Sequence, residues 1–245
     1  MTAPRAPLAI LLPPSEGKAP GGHGPAWAPS DGRFGASLED QRTAIVAALA
    51  AAGGGDAKLL GVGGAHLTRG QSANSSLRGA PTMPAGKRYS GVVWDHLALN
   101  SLTATARRRA GETIVVFSGL LGLVAITDPI PDYRLKVGAS LDPLGKLTRW
   151  WREPLSAALN DWLAGRFVVD LLTKEHRAAW TPTPERYAGG VVVTLLERSG
   201  RSAGHDAKAA KGHLASHLLS SRSAPQRALR AWTDDRFVLR LDPLS

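Results

Sequence analysis

Leu8-Ala-Ile-Leu-Leu-Pro-Pro-Ser-Glu-Gly-Lys18 decides the fold, because an apolar run passes directly into a polar turn. Five consecutive apolar residues, Leu8–Leu12, predict a buried strand, and the two prolines after them predict its end. A loop that leaves the end of a buried strand is a common place for a site in an α/β protein. Ser15 is a candidate binding residue, and Glu16 and Lys18 are the candidate catalytic pair. An ordinary polar turn is the competing interpretation.

Two further apolar runs, Ile114–Phe117 and Phe167–Leu172, predict interior strands of the same kind. Polar motifs follow these runs directly, so we expect the C-terminal ends of the three strands to meet on one side of a sheet. Val191–Leu196 and Phe237–Leu241 predict additional strands.

The predicted strand at Ile114–Phe117 leads into a second candidate motif. Ser118 and Gly119 form a turn there, and glycine lets backbone approach a ligand closely. Ser118 lacks the G-x-S-x-G frame of a nucleophile elbow. Tyr133 and Arg134, on a proline-rich segment further along, are expected to project into a cleft and bind an anion. A stiff surface loop with Tyr133 packed on the core is the alternative.

Helical patterns fill the intervals between the predicted strands. Ser37–Asp40 resembles a capping box at the start of a helix. Gly145–Leu163 is amphipathic, with an end or kink expected at Pro154, and Asp206–Ser220 is a further helix. Strands and helices interleave without a long linker. The sequence therefore predicts one α+β (mixed α/β) domain over residues 1–245.

A glycine-rich turn, Leu59–Gly64, lies between two short predicted helices. Its apolar-Gly-apolar-Gly pattern resembles a helix–hairpin–helix element, whose turn amides hold a DNA phosphate without reading sequence. Gly61 and Gly63 are therefore candidate nucleic-acid-binding residues. A plain helix–helix turn explains the pattern equally well.

Two lysines near the start of the last long predicted helix form the remaining motif. Lys208 and Lys211 are three residues apart and share a helix face. Lysines near a helix N-terminus oppose the helix dipole, and this placement favours an anionic ligand over a merely solvated charged face.

Composition sets limits on the function. Thirty Lys and Arg against twenty Asp and Glu give a formal net charge of +10, which favours nucleic acid or phosphorylated partners. The absence of cysteine excludes disulfide scaffolds, thiolate metal sites and thiol nucleophiles. The histidines show no metal-ligand spacing, so we expect no metal and no cofactor. No stretch reaches membrane length, and we expect a cytoplasmic monomer.

Several of these motifs together resemble the YaaA family of peroxide stress proteins (DUF328, UPF0246), in its actinobacterial branch. The resemblance runs in order along nearly the whole chain, through Leu11–Lys18, Tyr89–Val92, Ser118–Gly122, Pro131–Leu135, Val168–Leu171 and Lys208–Gly212. It implies a single mixed α/β domain, called the cantaloupe fold, with a helix–hairpin–helix element. It also implies DNA binding in a positively charged groove and protection from iron-linked oxidative damage.

The resemblance places a defined set of residues in that groove: Ser15, Glu16, Lys18, Ser118, Gly119, Tyr133, Arg134, Lys208 and Lys211. The chain departs from the family pattern at Leu172, at His176 and at Asp206, where the family often has a basic residue or an aromatic one. These changes bear on the ligand rather than on the fold.

Two functions of different class follow. The first is a stress-protective protein that binds double-stranded DNA, or another nucleic acid or phosphorylated anion, without turnover. The second is an enzyme acting on a nucleotide, nucleobase or nucleic acid, with Glu16 as acid or base and Lys18 and Lys208 as electrostatic partners. Convergence of these residues on a narrow pocket favours the enzyme, and an open trough favours the binding protein.

Overall fold

A computed structural model describes residues 6–199 and 206–245 of the chain. The predicted domain, residues 1–245, also includes residues 1–5 and 200–205, which lie outside the described part. The described residues form one mixed α/β domain around a single apolar core.

The α-helices are α1 (Gly35–Ala51), α2 (Ala57–Leu60), α3 (Gly64–Ser75), α4 (Ala85–Arg88), α5 (Val92–Leu97), α6 (Ala104–Thr113), α7 (Leu147–Leu163), α8 (Lys174–Arg177), α9 (Asp206–Ser220) and α10 (Pro225–Ala231). The strands are β1 (Leu8–Leu12), β2 (Gly17–Lys18), β3 (Gly24–Ala26), β4 (Pro81–Pro84), β5 (Tyr89–Ser90), β6 (Ile114–Ser118), β7 (Gly122–Ala125), β8 (Pro129–Ile130), β9 (Ser140–Leu141), β10 (Gly145–Lys146), β11 (Phe167–Asp170), β12 (Gly190–Glu197) and β13 (Phe237–Pro243).

A six-stranded sheet in the order β13-β12-β11-β1-β6-β7 forms the centre of the domain. Its four inner strands are parallel, and both edge strands are antiparallel to their neighbours. Every residue of β1, β6 and β11 is buried, as expected for parallel strands covered on both faces. Within this sheet Leu11 lies between Asp170 of β11 and Val115 of β6. The predicted interior strands are confirmed, and their C-terminal ends lie at one edge of the sheet.

Helices pack around this sheet and around one another. α1 contacts α7, while α9 contacts α5, α6 and α10. The close fit of α9 against α5 depends on Gly212, because a Cβ atom there would lie 2.4 Å from the carbonyl oxygen of Val93. The predicted helix Asp206–Ser220 is confirmed as α9, and two short helices flank the glycine turn as expected.

The capping box predicted at Ser37 is wrong. α1 already begins at Gly35, after the N-cap residue Phe34, and no side chain caps it. Gly35 is required at that start because a Cβ atom would overlap the carbonyl oxygen of Ser30. The close approach of the preceding loop therefore sets the start of the helix, and Ser37 lies inside the first turn.

An end of the helix at Pro154 is also wrong, since α7 continues through it to Leu163, while a kink there stays a prediction. Proline in a helix interior costs about 3 kcal/mol. Trp151, Leu155 and Leu159 are fully buried on the turns around it, and each such side chain contributes roughly 1.5–3 kcal/mol. The packing of the apolar face outweighs the loss of one backbone hydrogen bond.

Candidate functional site

The polar turn after β1 is held by a two-residue ladder. β2 pairs antiparallel with β5, so that Gly17 lies opposite Ser90 and Lys18 opposite Tyr89. The hydroxyl of Ser15 donates a hydrogen bond to the carbonyl oxygen of Ser90. A Cβ atom on Gly17 would lie 3.1 Å from the Ser90 hydroxyl oxygen, so glycine allows the two segments to meet.

A cavity of about 180 Å³ opens beside this ladder. Four segments line it: residues 16–18, Ser90, residues 132–134, and one face of α3 that carries His66, Arg69 and Gly70. Glu16, Lys18, Tyr133 and Arg134 therefore converge, as the resemblance implied. The charged side chains of the lining are three cations (Lys18, Arg69, Arg134) and two carboxylates (Glu16, Asp132).

Lys18 is the most unusual residue of this cavity, because it is a buried cation that forms no salt bridge among the described residues. It is only 9% exposed. Its ammonium donates to the carbonyl oxygen of Ser15 at 3.0 Å and lies 4.1 Å from the ring centre of Tyr133 and 5.6 Å from that of Tyr89. Burial lowers the pKa of Lys18 from 10.5 to about 8, although Glu16 attracts the charged form. About a tenth of this amine is therefore neutral at pH 7, against well under a thousandth for an exposed lysine.

A buried chain of hydroxyl groups forms the floor behind Lys18. The Tyr133 hydroxyl lies 2.8 Å from that of Tyr89 and 2.7 Å from that of Ser118, which accepts a hydrogen bond from the Leu121 amide at 3.0 Å. Burial raises the pKa of Tyr133 to about 12. Tyr133 therefore stays protonated, and its ring offers an uncharged π face to the ammonium.

Arg134 connects the cavity to the helical turn. Its guanidinium lies 3.5 Å from the Glu16 carboxylate and donates to the carbonyl oxygen of Leu60 at 3.2 Å. Asn74 of α3 holds the Arg134 backbone through both its amide and its carbonyl group, at 2.9 and 2.8 Å. Since the Glu16 carboxylate is half exposed and this ion pair is long, Arg134 retains capacity for another anion.

Arg69 and Asp132 form a second ion pair on the cavity wall, with 2.7 Å between the guanidinium nitrogen and the carboxylate oxygen. Arg69 also donates to the carbonyl oxygen of Lys18 at 2.9 Å, which ties α3 to β2. Sequence reasoning missed Arg69 and Tyr89 as site residues. Tyr89 lies in one of the stretches that carried the resemblance, whereas no pattern distinguishes Arg69.

The glycine turn, Gly61–Gly64, connects α2 to the N-terminus of α3, the helix that carries Arg69. Gly61 adopts the left-handed conformation that ends α2 (φ 63°), and Gly63 is the N-cap of α3. No side chain caps α3, and Gly63 and Gly64 are exposed, so the first backbone N–H groups of α3 point to solvent. Lys136 lies beside Gly61, where a Cβ atom would be 2.8 Å from the lysine nitrogen.

Ser118 and Gly119 support the cavity from behind and do not line it. Ser118 is fully buried in the hydroxyl chain. A Cβ atom on Gly119 would lie 2.5 Å from the carbonyl oxygen of Leu135, so glycine permits close packing of the 135–137 segment. The expected role of Gly119 in ligand approach stays a prediction.

Lys208 and Lys211 lie elsewhere. Lys208 is exposed on α9, and the half-buried Lys211 donates to the carbonyl oxygen of Leu171 at 2.7 Å, beyond the end of β11. Neither lysine lines the cavity. Their part in nucleic-acid binding stays a prediction.

A second charged cluster, made of Asp170, His176, Arg177 and Lys211, surrounds that end of β11. The buried Asp170 carboxylate pairs with the Arg177 guanidinium at 2.6 Å and accepts the Leu172 amide at 2.7 Å. Burial, together with a smaller effect of the nearby charge of Lys211, lowers the pKa of His176 to about 4. His176 of this cluster is one departure from the family pattern, and Leu172, whose amide donates to Asp170, is another.

Comparison with known proteins places the chain in a family. The sequence model described as "Peroxide stress protein YaaA" matches residues 8–242. The chain belongs to this family. A UPF0246 protein of Streptomyces coelicolor is 38% identical over 225 residues, which cover 89% of this chain and 85% of the relative. Another, from Corynebacterium efficiens, is 37% identical over 219 residues, 87% of this chain and 86% of the relative.

The described residues of this YaaA family member contain neither a metal-ligand cluster nor a membrane-spanning helix. Within residues 6–199 and 206–245, no group of three or more His, Asp or Glu side chains is placed to hold a metal ion. No helix in the described part of the chain has the length and apolar character needed to cross a membrane. The third departure from the family pattern, Asp206, forms an ion pair with Arg236 at 2.7 Å, which reduces its effect on the field near Lys208.

Proposed function

We propose that this chain is a peroxide stress protein that binds double-stranded DNA by its phosphate backbone at the Gly61–Gly64 turn, and takes a small anionic group into the adjacent cavity. The observation that carries the proposal is that both features belong to α3. Its exposed N-terminus forms the turn, and Arg69 and Gly70 on the same helix line the cavity. Exposed N–H groups at a helix start are suited to hold phosphate.

The charges near the turn support a backbone contact. Lys58 is exposed on α2 and Lys136 lies against Gly61, so two cations flank the helix start. A net charge of +10 adds a long-range attraction for a polyanion. Contacts of this kind position a duplex but do not read its sequence.

The size of the cavity determines what enters it. About 180 Å³ corresponds to roughly six water molecules at 30 Å³ each, well below the 300–1,000 Å³ of typical small-molecule pockets. A duplex must remain outside. A phosphate or one sugar-sized unit fits, and Arg134 and Lys18 supply the charges that would hold it.

Salt-dependent duplex binding tests this function. Affinity for a mixed-sequence duplex should fall steeply with salt, since bound phosphates release counterions. Changing Lys58 and Lys136 together to Ala should reduce the slope of log affinity against log salt by roughly one to two units. Lys174→Ala is the matched control, because Lys174 is exposed and lies outside both the Gly61–Gly64 turn and the cavity. Binding that does not depend on salt, or an unchanged slope in the double variant, would contradict the proposal.

The second candidate is an enzyme acting on a nucleotide, nucleobase or nucleic acid, with Glu16 as acid or base. One observation favours it: the cavity is small and is lined by a buried cation without a salt bridge and by the half-exposed carboxylate of Glu16. Lys18 remains its electrostatic partner. Lys208 contributes at most at long range, since it does not line the cavity.

Glu16→Gln separates the two candidates in cells that lack the native protein. It removes the acid–base group and keeps the shape of the side chain. Normal duplex affinity with loss of peroxide survival would support turnover. Normal affinity with full survival would leave binding alone as the function.

A further inference from the structure

The amine of Lys18 has a geometry that anion binding alone does not require. Lys18 lines a cavity, and its nitrogen has one protein acceptor, the Ser15 carbonyl oxygen, and lies against two aromatic rings. A lysine that only held an anion would act equally well when exposed and fully charged. Lysine rarely lies buried without an ion pair, because desolvation of the ammonium is costly.

The environment favours a neutral, nucleophilic amine chiefly through desolvation, which outweighs the attraction of the charged form by Glu16 and Asp132. The guanidinium groups of Arg134 and Arg69 also repel a proton on the amine, and no carboxylate forms a salt bridge with it among the described residues. Desolvation and neighbouring cations are the usual means by which proteins activate lysine toward carbonyl compounds.

We propose that Lys18 forms an imine with a small aldehyde that carries a phosphate group. The proposal rests on the function above, because the phosphate recognised by Arg134 and by the helical turn is what brings the aldehyde to the amine. Two sources have this chemistry: the open-chain sugar of an abasic nucleotide in DNA, and a free phosphorylated aldehyde. Either unit is compatible with a cavity of about 180 Å³.

The reaction balances with the groups present. The neutral nitrogen of Lys18 adds to the carbonyl carbon, and one amine proton moves to the carbonyl oxygen to give a carbinolamine. The carbon–oxygen bond then breaks, the second amine proton leaves with the oxygen as water, and a carbon–nitrogen double bond remains. No oxidant or reductant takes part. The Glu16 carboxylate at the mouth of the cavity is available to exchange these protons with solvent.

Reductive trapping tests the proposal on the full-length protein. Sodium cyanoborohydride is added with a duplex that carries one abasic site, with the same duplex intact, or with glyceraldehyde 3-phosphate, and peptide mass spectrometry locates the adduct. We expect an adduct on Lys18 that forms at least tenfold faster than on Lys174, with the abasic duplex, the free aldehyde or both. Labelling spread evenly over the lysines would overturn the proposal.

The pH profile is a readout that needs no variant. The adduct rate at Lys18 should level off above about pH 8, where its amine becomes neutral, whereas exposed lysines such as Lys174 should continue to gain reactivity toward pH 10. Parallel profiles at the two lysines would contradict an activated amine. Lys18→Met should abolish the fast adduct with both aldehydes, and Lys174→Met should leave it unchanged.

Duplex binding without reductant separates this proposal from the one it rests on. Salt-dependent duplex binding without an adduct on Lys18 would leave the DNA function intact and remove the imine. An adduct with the free aldehyde, in a protein that does not bind duplex, would support the imine chemistry and remove the DNA function.

Discussion

Lys18 and Lys211 are both poorly exposed lysines at the ends of neighbouring strands, since Lys18 follows β1 and Lys211 of α9 contacts the residue after β11, and their surroundings differ. Lys211 donates to a backbone carbonyl oxygen beside the Asp170–Arg177 ion pair. Neither lysine forms a salt bridge among the described residues, and Lys18 also donates to a backbone carbonyl oxygen, but Lys18 lines a cavity. At the end of β11 the buried Asp170 carboxylate has a partner in Arg177, so we expect that end to contribute to stability. At the end of β1 a buried cation lines a cavity and is available to a ligand, which makes this end the candidate site.

The largest effect is expected from breaking the ion pair at the end of β11. Arg177→Met leaves the fully buried Asp170 carboxylate without its partner, which should lower the free energy of unfolding by about 3 kcal/mol. Urea unfolding measures the loss. Arg186→Met, which breaks a pair with the exposed Asp161, is the control and should cost under about 1 kcal/mol. An Arg177→Met protein that is as stable as the native chain but binds duplex more weakly would indicate that the end of β11 binds the ligand and does not stabilise the fold.

Replacement of Lys18 should raise the free energy of unfolding, whereas replacement of Arg177 should lower it. Its pKa is about 8 when folded and 10.5 in an exposed lysine, so the unfolded state binds more protons between these values and stability rises with pH across that window. Below pH 8 the charged amine costs roughly 3 kcal/mol. Lys18→Met should therefore be more stable than the native chain at pH 7, by about 2 kcal/mol after allowance for relaxation.

Thermal or urea unfolding at pH 7 and pH 10.5 measures this difference, which should nearly vanish at the higher pH. A Lys18→Met protein that is less stable at pH 7 would mean that the buried amine contributes to the stability of the fold.

His176 of the second cluster should make stability depend on pH in the acidic range. Its pKa is about 4 when folded and 6.5 when exposed, so only the unfolded state gains a proton between pH 6.5 and 4. The native chain should lose about 2 kcal/mol across this window through His176. His176→Gln keeps a polar group near Thr173 and should flatten the decline, with no change at pH 7. An equal acid-induced loss in both proteins would show that other groups dominate.

The smallest effect is expected at Lys208. Because this lysine is exposed and outside the cavity, Lys208→Ala should change the free energy of unfolding by less than about 0.5 kcal/mol. If α9 touches the duplex, the salt slope of binding should fall by about one unit. An unchanged slope would confine the DNA contact to the α2–α3 side of the molecule.

The sequence was sufficient to predict the core of the sheet, because uninterrupted apolar runs are characteristic of parallel strands buried on both faces. It also predicted that Glu16 and Arg134 meet, since each follows one of two neighbouring strands, β1 and β6. The local sequence pattern gave wrong helix boundaries where contacts with distant chain segments determine where a helix begins or ends. The loop at Ser30 fixes the start of α1, and core packing carries α7 through Pro154.

The lysine helix shows the same limit at the site. Spacing alone indicated that Lys208 and Lys211 share a face, and α9 has the predicted bounds. Spacing carries no information about which neighbour that face meets, and the carbonyl oxygen of Leu171 is supplied by a strand about 40 residues earlier. Likewise, Arg69 reaches the cavity only because α3 packs over the β2–β5 ladder.

The central position of β1 has a consequence for synthesis on the ribosome. This strand, made within the first dozen residues, acquires its two partners only when Ile114–Ser118 and Phe167–Asp170 have emerged. At roughly 5–20 residues per second, the apolar stretch waits about 10–30 s before both neighbours exist. The growing chain therefore carries an unpaired, aggregation-prone strand until β11 has been made. The supply of chaperones that hold nascent chains should then limit its yield.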